Sequence, residues 1–206
     1  MHLKKYLWAV FFATAPLSAH VHASPPLIPL NQELAAVDYT KEGRQTGCGI
    51  RITAESGGDL WINVLLSVFV RETAPPLGMF KVVVKKINIE NDEPKLQDGK
   101  IIYSSIGQIH HAWIKTASGQ QLLPDDSAGA THGEGYMTST EFVYTVDLLG
   151  MLMRENFSVG FTREEAGAEE VFEFNQRITP EESGKLTDCM KNLRATMEEK
   201  LNRESL

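Results

Sequence analysis

Residues 47–70 read GCGIRITAESGGDLWINVLLSVFV and decide the fold class of the chain. Over residues 48–53 apolar and polar side chains alternate, which is the pattern of a strand with one buried face. Residues 57–59, Gly-Gly-Asp, are a turn signal, and residues 60–70 are rich in β-branched and aromatic side chains. The stretch therefore predicts a β-hairpin. Its second strand is apolar on both faces over residues 64–66 and should lie in the middle of a sheet.

The strand pattern continues downstream of this hairpin. Further strand-like segments occur at residues 79–91, 101–104, 108–116, 120–123 and 139–146. A second hairpin is predicted over residues 157–174, where apolar side chains at every second position flank an acidic turn at residues 164–169.

Two helices are predicted in the second half of the chain. Asp147 is the N-cap candidate of a short helix, and Thr179, Pro180 and Glu182 form a capping box at the start of a C-terminal helix. Apolar positions hold helical spacing in both: Leu148, Leu149, Leu152 and Met153 in the first, and Leu186, Cys189, Met190, Leu193, Met197 and Leu201 in the second. One side of each helix is therefore expected to pack on the sheet.

The N-terminus has the features of a secretory signal peptide. Lys4 and Lys5 precede an uncharged apolar run at residues 6–15, which is too short to span a bilayer. The small residues Val21 and Ala23 favour cleavage before Ser24, and no Cys follows to carry a lipid. The mature protein is expected in the periplasm or secreted, without a transmembrane anchor.

The leader also defines the expected domain boundaries. Cleavage after Ala19 and an uncleaved anchor are the alternatives to a signal peptide of residues 1–23. Residues 24–46 are Pro-rich and then polar, so they are expected to form a flexible lead-in. Residues 47–206 are then a single α+β domain. We expect a mainly antiparallel β-sheet, sandwich-like or curved, with the short helix and the C-terminal amphipathic helix packed on it.

The two cysteines allow one intramolecular connectivity. In an exported protein Cys48 and Cys189 are expected to pair, and a bridge closing about 140 residues would remove roughly 4 to 5 kcal/mol of denatured-state entropy. A reactive thiol is the alternative, but neither Cys lies in a Cys-x-x-Cys pair. The bridge would tie the last helix to the first strand of the domain.

The charge balance excludes nucleic acid as the expected partner. The chain has 20 Lys and Arg against 27 Asp and Glu, and loss of the leader would remove two lysines and no acids. Phosphate backbones bind clustered cations, and the one cluster along the sequence is Lys81, Lys85 and Lys86 in a Val-rich strand. We interpret these lysines as the solvated face or edge of a sheet.

Neither a metal site nor a cofactor is predicted. Adjacent strand residues such as His110 and His111 point to opposite faces, and no His-Glu-x-x-His pattern places two ligands one helical turn apart. His132 is the remaining histidine outside the leader. We interpret these histidines as strand and loop residues.

Catalytic patterns are equally sparse. No Gly-x-Ser-x-Gly elbow and no phosphate-binding glycine loop is present. Asp125, Asp126, Glu134 and Glu141 lie within one region and leave open a pair of carboxylates for sugar chemistry, although solvated loop acids are the commoner case. No catalytic residue is assigned, and a non-enzymatic role is favoured over an enzymatic one.

The candidate partner-binding region is the loop at residues 124–137, which has no periodicity. Long loops inside compact domains are often functional, and aromatic and Met side chains are enriched at protein interfaces. The residues expected to contact a partner are Asp125, Asp126, His132, Glu134, Tyr136 and Met137.

Residues 48–193 resemble uncharacterised exported proteins of Gram-negative bacteria. The resemblance is carried by the opening Cys48-Gly49 strand, the Asp-Leu-Leu-Gly-Met-Leu-Met helix at residues 147–153, a Phe-rich hairpin, and a closing helix with a single Cys before a Leu. It implies an envelope or secreted protein and assigns no catalytic residue.

The sequence thus favours a non-enzymatic periplasmic or secreted protein-binding module, such as an inhibitor, an immunity factor or an accessory of an envelope machine. Two alternatives remain. One is a secreted hydrolase of cell-wall or glycan substrates that uses the loop carboxylates. The other is a small-ligand carrier with an apolar pocket between sheet and helix.

Overall fold

The computed structural model describes residues 26–27, 29–56, 59–91, 93–122, 135–163 and 167–204. Its strands are β1 (Pro29–Lys41), β2 (Arg44–Ser56), β3 (Leu60–Phe69), β4 (Leu77–Ile87), β5 (Ile89–Glu90), β6 (Glu93–Pro94), β7 (Leu96–Gln97), β8 (Lys100–Ile101), β9 (Tyr103–Ser105), β10 (His111–Thr116), β11 (Gln121–Leu122), β12 (Gly135–Thr140), β13 (Phe157–Thr162) and β14 (Glu170–Phe174). Its helices are α1 (Phe142–Leu152) and α2 (Pro180–Glu204). The α+β class is confirmed.

The larger sheet has the order β1-β2-β3-β4-β12, and β9 also pairs with β4. Every pairing in it is antiparallel, and the predicted hairpin is the pair β2–β3, with Cys48 opposite Val68. β3 lies in the middle of the sheet, as its apolar character predicts. Two small hairpins, β5–β6 and β7–β8, lie between β4 and β9 in the chain.

The smaller sheet has the order β11-β10-β13-β14 and is also antiparallel. The predicted Phe-rich hairpin is the pair β13–β14, in which Phe157 faces Phe174 with ring centroids 4.8 Å apart. The two sheets contribute to one hydrophobic core. The architecture is therefore a two-sheet sandwich in which both helices pack on the larger sheet.

The disulfide is formed between Cys48 in β2 and Cys189 in α2, with Cα atoms 5.9 Å apart. Leu186 and Leu193, on the same side of α2, are 1% exposed. The side of α2 that carries Cys189 therefore packs on the inner face of the larger sheet. The predicted position of the C-terminal helix is confirmed.

The lead-in expected at residues 24–46 is corrected by the structure, because residues 29–41 form β1 along the whole of β2. The side-chain pattern of these residues does not indicate a strand, because Leu34 is their main contribution to the core. As an edge strand, β1 is held by backbone hydrogen bonds to β2. Glu42 and Gly43 both have positive φ, at 53° and 75°, and make the two-residue turn into β2. This Glu-Gly turn is the sequence signal that could have revealed the hairpin.

The start of α1 also differs from the prediction. The helix begins at Phe142 with Glu141 as N-cap, so Asp147 lies in its interior rather than at its cap. Residues 142–146 have strand-like side chains, but tertiary contacts override that propensity. Thr145 is fully buried, donates to the Glu141 carbonyl at 2.7 Å, and lies over the backbone of Gly78.

The start of α2 follows the prediction in part. The Thr179 hydroxyl accepts from the Glu182 N–H at 3.2 Å, as a capping box requires. The Glu182 carboxylate, however, accepts from the N–H of Ala36 in β1 at 2.7 Å instead of returning to Thr179. Glu182 therefore joins α2 to the edge of the sheet. Within the described part of the chain, no helix has the length and apolarity needed to cross a bilayer.

Candidate functional site

The predicted partner-binding loop falls largely outside the described residues, which exclude 123–134 and with them Asp125, Asp126, His132 and Glu134. Tyr136 and Met137 are in β12. Tyr136 points into the core and is 1% exposed, so its proposed role as an exposed contact is wrong. Met137 points outward and is 37% exposed, and its role stays a prediction.

Met137 belongs to the outer face of the larger sheet. Side chains alternate between the two faces of a strand, and the cross-strand register places odd-numbered residues of β1, β2, β3, β4 and β12 together on one face. The even-numbered residues face the core: Cys48, Ile50 and Ile52 in β2, Ile62, Val64 and Leu66 in β3, and Phe80, Val82 and Val84 in β4. Both helices and the smaller sheet pack on that inner face.

The outer face carries an unusual number of apolar side chains over the half of the sheet nearest the β1–β2 turn. We define the outer apolar patch as Ala35, Val37, Tyr39, Leu65, Phe69, Leu77, Met79 and Met137. Met137 is exposed and the other seven are partly buried. A solvated face of an antiparallel sheet normally alternates to polar residues, so this patch is the anomaly of the fold.

Aromatic packing holds part of the patch in place. The rings of Tyr39 and Phe69 are 4.8 Å apart and meet across Gly47. A Cβ at Gly47 would lie 2.5 Å from the Phe69 ring. Glycine at this position is therefore what lets the Phe69 ring lie flat across β2.

Two cations interrupt the patch. Arg51 and Lys81 flank Leu65 in the same cross-strand row. Neither forms an ion pair or side-chain hydrogen bond with the residues that the structure describes. Unpaired cations beside apolar side chains favour carboxylates on whatever surface meets this face.

A basic cavity adjoins the patch at the same end of the sheet. It has a volume of about 310 Å³ and is formed by the β1–β2 turn, the loop after β3 and the end of α2. Its cations are Lys41, Arg44, Arg71, Lys200 and Arg203, against the carboxylates of Glu42 and Glu72. Because they come from separate segments of an acidic chain, no local sequence pattern indicates this basic end.

Trp61 and Trp113 lie on outer sheet faces rather than in the core. Trp61 is half-buried on the outer face of the larger sheet, with its ring 5.3 Å from that of Tyr103. Trp113 is half-buried on the outer face of the smaller sheet, lies across Gly160 and donates from Nε1 to Glu169. Strand alternation could have predicted that both tryptophans face outward, because adjacent residues such as Ile62 and Ile114 are buried.

The shifted pKa values have structural causes. Burial raises the pKa of Tyr103, with Glu55 adding to the rise and Lys85 opposing it. Hydrogen bonds from the side chain and backbone of Ser118 lower the pKa of Glu155. Among the described residues, no group of three or more His, Cys, Asp or Glu side chains could hold a metal ion. No poised acid or base is indicated by these shifts.

The carrier hypothesis stays a prediction. A cleft of about 380 Å³ between the loop after β3 and α2 is lined mainly by apolar side chains, as an apolar ligand requires. A second cleft does not suit such a ligand. A cleft of about 340 Å³ lies between β1 and α2. Charged and polar side chains line it, among them Asp38, Lys185, Asp188 and Asn192. An apolar metabolite would leave these groups desolvated and unpaired.

Comparison with known proteins adds no relative: no family model matches the chain, and neither a curated protein nor a solved structure is significantly similar to it. Function is therefore inferred from the geometry of these surfaces.

Proposed function

We propose that this chain is a non-enzymatic protein-binding module that is exported through a cleaved leader of residues 1–23. It docks on another protein through the outer apolar patch. The observation that carries the proposal is the partly exposed apolar character of a sheet face on which neither helix nor the smaller sheet packs.

The size of the patch supports a docking role. Five strands about 4.8 Å apart and three rows about 6.8 Å apart cover roughly 500 Å² of sheet, and the eight apolar residues occupy a little more than half of those positions. The largest apolar patch on a soluble domain is often functional. A standard interface takes about 800 Å² from each partner, so the polar rim of the patch must take part as well.

The charges of that rim define the partner. Arg51 and Lys81 lie within the apolar surface, and the basic cavity with Arg44 and Arg71 continues it at one end. The matching surface is apolar at its centre and carries carboxylates around it. Such complementarity speeds association and excludes basic partners.

The disulfide supports action outside the cytoplasm. Bridges such as Cys48–Cys189 persist in oxidising compartments and are rare where thiols are kept reduced. This agrees with the signal peptide predicted from the sequence.

The test is a capture experiment with matched variants. The full chain is expressed with its leader in a Gram-negative host and crosslinked in the envelope fraction through a photoreactive residue at position 137, which is exposed in the patch. Leu65→Arg places a charge at the centre of the patch, and Leu96→Arg makes the same change at a side chain that is 59% exposed in β7. Thermal unfolding of each variant confirms that it is folded.

The expected result is one defined partner that the wild type and Leu96→Arg bind equally. Leu65→Arg should weaken its affinity at least about tenfold, as loss of a central contact does. Equal binding by both variants contradicts the proposal. Crosslinking of the chain only to itself, with a dimer in light scattering, also contradicts a distinct partner.

A further inference from the structure

A cleft at the opposite end of the outer face from the basic cavity is not needed for protein docking. Its volume is about 440 Å³, within the range of about 300–1,000 Å³ usual for small-molecule sites. It lies where β1 begins and β2 ends, beside the start of β3. The side chains that matter for its chemistry are Asn31, Glu33, Glu55, Trp61 and Gln176.

Trp61 forms one wall of this cleft. β3 lies between β2 and β4, so the ring has the cleft on its β2 side and Tyr103 of β9 on its β4 side. The Tyr103 ring is 5.3 Å away and tilted by 46°, which supports Trp61 from behind. An indole held in this way offers an apolar flat surface to a ligand.

Hydrogen-bonding groups face that wall. Asn31 Nδ2 donates to Glu55 Oε2 at 2.9 Å, which leaves Asn31 Oδ1 and Glu55 Oε1 available. The side chains of Glu33 and Gln176 form no hydrogen bond or ion pair with other described residues. The cleft thus offers both donors and acceptors at its rim.

The charge of the cleft limits the ligand class. Glu33 and Glu55 contribute two carboxylates, and none of the described residues that line the cleft is Lys or Arg. Phosphates and acidic sugars are disfavoured by repulsion. A cationic amine would be better served by several aromatic faces, and Trp61 is the only aromatic residue among the described residues that line the cleft.

We propose that this cleft binds a neutral saccharide. A sugar ring has an apolar C–H face, which stacks on Trp61, and hydroxyl edges that both donate and accept. The hydroxyls are matched by the carboxylates of Glu33 and Glu55 and by the amides of Asn31 and Gln176. This site is independent of the proposed protein-docking patch.

The two tryptophans outside the leader provide the reporter and its control. In Trp113→Phe, Trp61 is the only tryptophan of the chain beyond residue 23. Its emission is followed while the full mature chain is titrated with neutral disaccharides: maltose, cellobiose, lactose, mannobiose and N,N′-diacetylchitobiose. At least one is expected to give a saturable change, with half-saturation below about 10 mM.

Three further variants define the site by calorimetry with the responding disaccharide. Trp61→Ala should lower the affinity at least about tenfold, whereas Trp113→Ala, on the outer face of the other sheet, should leave it unchanged. Glu33→Gln, which keeps the shape of the side chain, should weaken binding several-fold. Binding of a neutral sugar should not change between low and high salt.

Three outcomes would overturn the proposal. One is the lack of a saturable response to any of the disaccharides at about 50 mM. Another is an equal loss of affinity in Trp61→Ala and Trp113→Ala. The third is a Trp61 response to choline or spermidine alone that salt abolishes, which would identify a cation site. If Trp61→Ala fails to fold, the Glu33→Gln titration still tests the site.

Discussion

Removal of the disulfide tests how the fold is held together. The perturbation is the double variant Cys48→Ala/Cys189→Ala, which disconnects α2 from β2. The two residues are 141 positions apart, and closing a loop of that length in the denatured chain corresponds to about 5 kcal/mol at 25 °C. Small domains unfold with about 5–15 kcal/mol, so this single bridge supplies a large share of the total.

The assay is urea unfolding at neutral pH, followed by tryptophan fluorescence and circular dichroism. We expect the free energy of unfolding to fall by about 4–5 kcal/mol and Tm to fall by roughly 10–20 °C. The dependence on urea should also steepen, because the denatured chain without its bridge is less compact. Reduced wild-type protein should behave like the double variant, and reductant should not affect the double variant.

A loss below about 1 kcal/mol would refute this reasoning. It would mean that packing of Leu186 and Leu193, together with the Glu182–Ala36 hydrogen bond, holds α2 on the sheet without help. A denatured state that stays compact without the bridge would have the same effect, and the urea dependence distinguishes the two cases.

Two more predictions concern local contacts. In Gly78→Ala the new Cβ would lie 2.1 Å from Thr145 Oγ1 and 2.2 Å from Thr140 Oγ1, so we expect a loss of about 1–3 kcal/mol in urea unfolding. Gly184→Ala, where nothing lies within 4 Å, should gain about 0.5–1 kcal/mol, and equal effects of the two changes would contradict the packing argument. Hydrogen bonds from Lys185 and from the N–H of Ala36 lower the pKa of Glu182 in the folded state. Its carboxylate therefore stabilises the fold above the unfolded-state pKa of about 4.3, and that effect is lost as pH falls through the lower folded-state pKa. The stability difference between wild type and Glu182→Gln should therefore be present at pH 7 and disappear in acid, and a difference that does not change with pH would contradict this role.

Local sequence signals predicted the elements whose side-chain pattern is strong. The β2–β3 and β13–β14 hairpins follow from alternation, and the start of α2 follows from Thr179 and Pro180. The predictions failed where tertiary contacts dominate. β1 is held by backbone pairing to β2, and residues 142–146 are helical because Thr145 packs against Gly78.

The candidate surfaces were harder to predict than the elements. Met137 was identified as a contact residue, but the other members of the patch come from other strands, such as Leu65 and Phe69 from β3 and Val37 from β1. Tyr136, one residue from Met137, is in the core because successive side chains of a strand point to opposite faces. Residues 124–137 have no periodicity, so the sequence alone could not show whether Tyr136 or Met137 faces water.

The sequence by itself determined the periods of its strands and helices and the pairing of its two cysteines, since these depend on residues close in the chain or on a single available partner. The tertiary structure alone decided which residues share a face. Cross-strand register joins residues far apart in the chain, and a shift of one residue would exchange the inner and outer faces of a strand. The outer apolar patch, the basic cavity and the Trp61 cleft all exist because of that register.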